Sequence, residues 1–262
     1  MIYDPLETEA SRKILLELLD ELKPGKNFGL VGGWAVHFLI HENFLRATGR
    51  EFLRSRDIDV FIDCKGNFPS QFAHTIEKIG FAPGEYRFRY TLILDRDSMK
   101  KLSEGEARRK QAFELVYVFL DVLGNGESDA VGVWPNEIVT KMIDRKAMKI
   151  LAIDGQKVFV PEEDFLLLLK VDSFLKRETK EKRMKDACDI YGLLFYSPAK
   201  ILELVKGDMW KSETASRGLE AMLGDETVEF IAGALFGDRL KSGLVRRNLF
   251  QLLEALGPRG LR

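Results

Sequence analysis

The sequence predicts a mixed α/β domain followed by an all-helical one, and three observations carry that expectation. Short apolar runs of strand character (Phe28–Val31, Asp57–Ile62, Tyr90–Leu94, Glu114–Leu123) alternate with helical spacing before about residue 160. Helical periodicity alone continues from Pro161. The length of 262 residues, with 45% hydrophobic side chains, suits one large or two smaller domains with a sizeable core. We place the boundary at 160/161: residues 1–160 a mixed β-sheet with flanking helices (α/β, or α+β), residues 161–262 a C-terminal helical domain.

Taken in order, Leu15, Leu16, Leu18, Leu19 and Leu22 put an apolar stripe on an N-terminal helix that Lys23-Pro24-Gly25 ends. Phe28-Gly29-Leu30-Val31 is a short buried strand running into Gly32-Gly33, and Trp34 to Phe44 is a helix. An arginine-rich stretch leads to the strand Asp57–Ile62. Ser70–Ile79 is a helix closed by Gly80. Between the next two strands, Asp95 to Lys110 is so dense in charge that it reads as a solvated excursion, helical in part. Asp154-Gly155 marks a hairpin turn inside Ile150–Val160. Helices then follow at Glu163–Arg177 and Lys182–Phe195, with shorter ones to the end.

Composition removes several classes. No run approaches the roughly 18 apolar residues of a membrane span, and the first residues have no basic region followed by an apolar one, so neither a membrane protein nor a secretory leader is expected. A net charge of −1 argues against a protein that coats nucleic acid through bulk charge, although a local basic patch remains open. Cys64 and Cys188 are too few for a disulfide framework or a cysteine zinc site. The expectation is a soluble, cytoplasmic protein. Six Asn and four Gln beside 31% charged residues fit a bias seen in proteins of hot environments.

Chemistry concentrates in a few places. Gly32 and Gly33 stand at a strand-to-helix turn, where missing side chains let a phosphate approach orphan N–H donors at the positive end of a helix; the bland alternative is packing. No G-x-G-x-x-G and no Gly-Lys-Ser/Thr accompany them. Asp57 and Asp59 share one strand face with Cα atoms about 6.5–7 Å apart, while Ile58, Val60 and Ile62 take the other face. Two carboxylates so placed suit a hard cation such as Mg²⁺ that bridges to phosphates, or simply a solvent-facing strand start. Asp121 sits inside the apolar run Tyr117–Leu123, where an unpaired carboxylate would be costly. It leans out to solvent or an arginine, or it is a third metal-facing acid.

In this order the elements resemble the nucleotidyltransferase fold superfamily: an apolar strand, Gly-Gly opening a helix, D-x-D on the next strand, and a third acid on a later one. Gly32-Gly33-Trp34-Ala35-Val36 is similar to antibiotic-modifying members. Arg54-Ser55-Arg56-Asp57 looks like the abortive-infection toxin type. The likeness covers roughly residues 28–190. It departs from the pattern in the 23 residues separating Gly33 from Asp57 and in having Gly33 where some members have serine.

What the resemblance implies is a metal-dependent transfer of a nucleoside monophosphate from a nucleoside triphosphate to an acceptor hydroxyl on a small molecule, a protein or an RNA. Asp57, Asp59 and Asp121 would be the catalytic and Mg²⁺ (or Mn²⁺) ligands. Gly32, Gly33, Ser55, Arg56 and Lys170 would contact the nucleotide. The family's hairpin, proline, lysine-bearing helix and Lys-Asp pair would be Val158–Pro161, Lys170 and Lys185-Asp186, with Asp189 beyond. The alternative is a catalytically inactive nucleotidyltransferase-like module that binds or regulates. A third reading, an RNA-directed toxin, would need the run Lys176–Lys185, six basic residues against two glutamates, to be available to a polyanion. That run, Lys170 as a snorkelling lysine and Lys185/Asp189 as a surface i,i+4 pair all have ordinary structural explanations. His37 and His41 have zinc-ligand spacing without the accompanying glutamate and read as a packed histidine pair. Trp34 reads as packing rather than base stacking. Neither the choice of nucleotide nor the oligomeric state follows from the sequence.

Overall fold

The computed structural model describes residues 3–22, 25–199 and 213–256, and these divide into two compact units. A sheet unit comprises Tyr3–Ala35 and Arg54–Pro161. A helical unit comprises Val36–Leu53 together with the chain from Glu162. The chain thus changes unit at 161/162, and the stretch 36–53 also belongs with the helices. The predicted helix stop at Lys23-Pro24 and the helical tail over 200–212 and 257–262 lie outside the described residues.

In the sheet unit, β1 (Phe28–Val31), β2 (Asp57–Ile62), β4 (Arg89–Asp95), β6 (Leu115–Gly124), β8 (Met148–Ile153) and β9 (Gln156–Pro161) are the main strands. Two-residue β3 (Ala82–Pro83), β5 (Lys101–Leu102) and β7 (Trp134–Pro135) extend the edges. The order is β3-β4-β6-β2-β1-β9-β8, with β5 on β4 and β7 on β6. The sheet is mixed: β2 runs parallel to β6 and antiparallel to β1, and β4 is antiparallel to β6. This is the mixed α/β class that the sequence predicts.

Alternation explains the layering. Val116, Val118, Leu120 and Val122 of β6 and Ile58, Val60 and Ile62 of β2 are buried, as period-2 strands with one core face require. Helix α1 (Pro5–Leu22) buries Ile14, Leu15, Leu18 and Leu19 and packs on β6 and α3 (Phe68–Ile79). Gly80 ends α3 at φ 106°, donating its N–H to the Ile76 and Glu77 carbonyls, a left-handed cap that glycine adopts without a Cβ penalty. The β8–β9 hairpin turns at Asp154-Gly155, both at positive φ (49° and 82°), as the Asp-Gly signal predicts. The charged excursion holds the capped turn α4 (Glu104–Ala107) as well as β5. Helix α5 (Glu137–Arg145) is not anticipated by the sequence reading. Its Asn136 side chain caps the Ile138 and Val139 N–H groups.

In the helical unit, α6 (Glu163–Lys176) packs on α7 (Lys180–Tyr196), joined by α8 (Glu213–Met222), α9 (Asp225–Phe236) and α10 (Ser242–Leu256). Helix α2 (Gly32–Thr48) leaves the sheet unit after its first turn. Gly192 of α7 lets Ile40 and Phe52 lie against its backbone: a Cβ there would stand 2.5 Å from Ile40 Cδ1.

Candidate functional site

The acidic residues are brought together by strand register. β1, β2, β6 and β4 align Val31, Asp59, Asp121 and Arg89 in one row across the sheet. Asp57 stands two residues along, opposite Phe119. Residues in register point to the same face, so Asp57, Asp59, Asp121 and Arg89 share the half-open side of strands whose other side is core.

The turn before α2 is shaped around Asp59. Gly32 has φ +65°, and a Cβ on it would fall 1.9 Å from Asp59 Oδ2. The carboxylate therefore lies against the backbone where a side chain would otherwise be. Gly33 is buried as the second residue of α2. Gly32→Ala should cost about 1–2 kcal/mol for the left-handed backbone and should also displace Asp59. Gly66→Ala, at φ +72° with nothing within 4 Å, carries the backbone cost alone. Urea titration of the two variants should show Gly32→Ala to be the more destabilised.

Asp121 stands beside Asp59 on the neighbouring strand, and its carboxylate is engaged by arginine. Arg89 Nε donates to Oδ1 at 2.7 Å and Nη2 to Oδ2 at 2.5 Å, a bidentate fork. The hydrogen bond to Asp121 is the main cause that holds the guanidinium's pKa above its usual value. Burial opposes it, and the charges of Asp121, Asp57 and Asp59 add to it. Arg89 also lies 5.2 Å from the Phe119 ring centroid. Sequence reasoning missed Arg89; the one visible sign was the alternation Tyr86-Arg87-Phe88-Arg89-Tyr90 just ahead of a strand.

The remaining residues separate. The Ser55 hydroxyl donates to the Asp57 carbonyl at 3.0 Å and so braces the strand entrance. Arg56 lies 3.8 Å from Asp57 and 3.9 Å from Glu7, with its guanidinium over the Tyr3 ring. Trp34 is fully buried and donates to Ser11 Oγ at 2.9 Å, a packing role. The His37 and His41 rings pack against each other, tilted by 40° with centroids 4.7 Å apart, and His37 Nδ1 lies 3.2 Å from the Leu53 carbonyl.

Lys170 belongs to the helical unit, where its ammonium meets Asp186 at 2.9 Å and Asp189 at 2.8 Å. Lys185 pairs with Asp189 as well, and the pair is buried rather than at the surface. Burial pushes the Asp186 carboxyl upward. The charges of Lys170 and Arg177 and hydrogen bonds from Lys170 and Ser173 outweigh it, so its pKa is lowered. The basic run is largely neutralised too: Lys176 pairs with Asp172, Arg177 with Asp186, and Lys180 with Glu226.

A divalent cation can be tested against this geometry. Mg²⁺ is ordinarily held by one or two carboxylates plus substrate phosphates and water. Asp57 and Asp59, on one face beside the Gly32 turn, fit that requirement. A centre made of three side chains is not formed, because Arg89 takes both Asp121 oxygens. Among the described residues no three His, Cys, Asp or Glu side chains converge on a metal position.

No protein-family model matches the sequence, and no curated protein matches it. Among solved structures, the crystal structure of an antigenic nucleotidyltransferase-like protein from Paracoccidioides brasiliensis is similar to this chain. The identity is 18%, the alignment covers 88% of this chain and 91% of that one, and the TM-score is 0.45. Among the described residues no helix is long and apolar enough to cross a membrane.

Proposed function

We propose that this protein transfers a nucleoside monophosphate from a nucleoside triphosphate to an acceptor hydroxyl. The observation that supports the reading is the row of Asp59, Asp121 and Arg89, with Asp57 beside it and the Gly32 turn at one end. Asp57 and Asp59 would hold Mg²⁺ or Mn²⁺, which when bound neutralises phosphate charge and orients the triphosphate. Gly32 and Gly33 open α2, whose first N–H groups and dipole favour phosphate at that end of the row.

In the reaction the acceptor oxygen bonds to the α-phosphorus, the bond from that phosphorus to the bridging oxygen breaks, and pyrophosphate leaves with the electron pair. The acceptor proton passes to Asp121 or to solvent. Arg89 fixes the Asp121 rotamer through its two hydrogen bonds, so Asp121 serves first to orient the hydroxyl. Ser55 and Arg56 steady the start of β2 rather than reaching for phosphate, and Lys170 acts within the helical unit.

The inactive-module reading is favoured by one observation, the bidentate Arg89–Asp121 pair. Calorimetry separates the two. Titration of each of the four common nucleoside triphosphates with Mg²⁺ should give a single metal-dependent site for at least one of them, abolished in Asp57→Asn/Asp59→Asn. Heat that persists unchanged without metal and in the double variant would support the module. Absence of heat from all four would contradict nucleotide use altogether.

A further inference from the structure

Arg89 places a positive charge in a row that would otherwise present only carboxylates. Residues in register on neighbouring strands lie about 5 Å apart, so Asp59, Asp121 and Arg89 stand side by side, with Asp57 two residues along β2. Asp57, Asp59 and Asp121 bring three negative charges to this face, and Arg89 brings one positive charge. Arg56, 3.8 Å from Asp57, is offset by Glu7 at 3.9 Å. Two negative charges are left over, the complement of one divalent cation rather than two.

The guanidinium is anchored on several sides. Its Nε and Nη2 donate to both Asp121 oxygens. It also lies 5.2 Å from the Phe119 ring centroid and 5.8 Å from that of Tyr86, within cation–π reach of each. Tyr86 stacks on Phe88 at 5.6 Å with planes 11° apart, and Phe88 meets Trp134 at 5.2 Å, so the ring beside the cation is backed by others. The backbone is tied as well: the Arg89 N–H donates to the Tyr86 carbonyl at 2.9 Å, and the Arg89 carbonyl accepts from the Gly84 N–H at 2.7 Å. Only 20% of the Arg89 side chain and 13% of the Asp121 side chain are exposed, so water screens the pair weakly. The charges of Asp57 and Asp59 also attract the guanidinium.

A face of three carboxylates with no cation of its own would suit two divalent ions about 3.5–4 Å apart. Here the third acid has both oxygens taken by a group that keeps its proton at any physiological pH. We propose that Arg89 is a resident cation standing in for a second metal: the face accepts one divalent cation, on Asp57 and Asp59, while Arg89 supplies the other positive charge and fixes Asp121. Arg89 acts through Asp121 and is a positioning residue. The proposal rests on the metal-holding role given to Asp57 and Asp59 in the nucleotidyl-transfer reading, and it is independent of which nucleotide or acceptor is used.

The test titrates the full chain with Mn²⁺ alone, without nucleotide, and reads free and bound Mn²⁺ by electron paramagnetic resonance. The wild type should bind one Mn²⁺ per chain. Arg89→Met removes the charge and releases Asp121, so it should bind a second Mn²⁺, and its first should bind at least tenfold more tightly because a neighbouring positive charge is gone. Arg89→Lys, which keeps the charge, should stay at one, and adding Asp121→Asn to Arg89→Met should return the count to one. Far-UV circular dichroism checks that each variant is folded. Should Arg89→Met not fold, Arg89→Gln, which can still donate to Asp121, should show the same gain in affinity. Two Mn²⁺ on the wild type, or one on the folded Arg89→Met at wild-type affinity, would overturn the proposal while leaving nucleotide use to be decided by the triphosphate calorimetry. No Mn²⁺ on the wild type would overturn it together with the metal-dependent reading.

Discussion

Asp189→Ala should destabilise the helical unit by about 3–5 kcal/mol, the scale for leaving buried charge uncompensated. Asp189 is fully buried between Lys170 and Lys185, so its removal strips one carboxylate from two buried ammonium groups at once. Lys170 retains Asp186, whereas Lys185 loses the carboxylate it pairs with. Urea or thermal unfolding followed by circular dichroism checks the size. Replacing both members, as in Lys185→Met/Asp189→Leu, should recover much of the loss, because a well-packed apolar pair often matches a buried ion pair. A loss under 1 kcal/mol in Asp189→Ala would mean that water reaches the cluster.

The same cluster sets a pH response. The lowered pKa of Asp186 means that the unfolded chain binds a proton more readily than the folded one. Its contribution is therefore fully present above about pH 4 and is lost as pH falls through the folded-state pKa. Asp186→Asn should flatten this part of an acid-unfolding curve.

Asp59→Asn should reduce nucleotidyl transfer by about 10³-fold, the scale for removing one preorganised electrostatic group from a reacting site. The substitution keeps the side chain's shape against Gly32, where it has no room to grow, and removes the charge. Stability should change little, so a loss of activity with an unchanged unfolding midpoint separates chemistry from folding. The cost should fall mainly on the metal-supported nucleotide complex, visible as a raised concentration of Mg²⁺ at half-maximal rate.

Local patterns were legible where local physics decides them. The strand Asp57–Ile62 matches its predicted bounds because three alternating apolar residues need one core. Gly80 and Asp154-Gly155 end or turn their segments because few other residues adopt those backbone angles. Register was legible only in part. The sequence left Asp121 either leaning to solvent or an arginine or facing a metal from a neighbouring strand, and its pairing with Arg89 depends on a strand 32 residues away in sequence, which no local periodicity reports. Lys170 shows the same limit: a lysine after four leucines can snorkel to solvent or be buried with carboxylates, and only packing of α6 on α7 decides. For the run Lys176–Lys185 the sequence left an ordinary charged face and a surface for a polyanion both open, because its acidic partners Asp172, Asp186 and Glu226 come mostly from other turns and other helices. The rings at Tyr86, Phe88 and Trp134 were invisible as a cluster because β7 is two residues long and brings Trp134 in from 46 positions beyond Phe88.

The central claim is cleavage at the α-phosphate on the Asp57–Asp59–Asp121 face. Incubating the protein and Mg²⁺ with α-labelled and γ-labelled nucleoside triphosphates tests it most directly, with RNA, protein and small-molecule fractions of a cell extract as acceptors. The α-label should join one fraction and the γ-label should be recovered as pyrophosphate, with neither event in Asp57→Asn/Asp59→Asn. Transfer of the γ-label, release of orthophosphate, or α-label in no fraction despite bound nucleotide would contradict it.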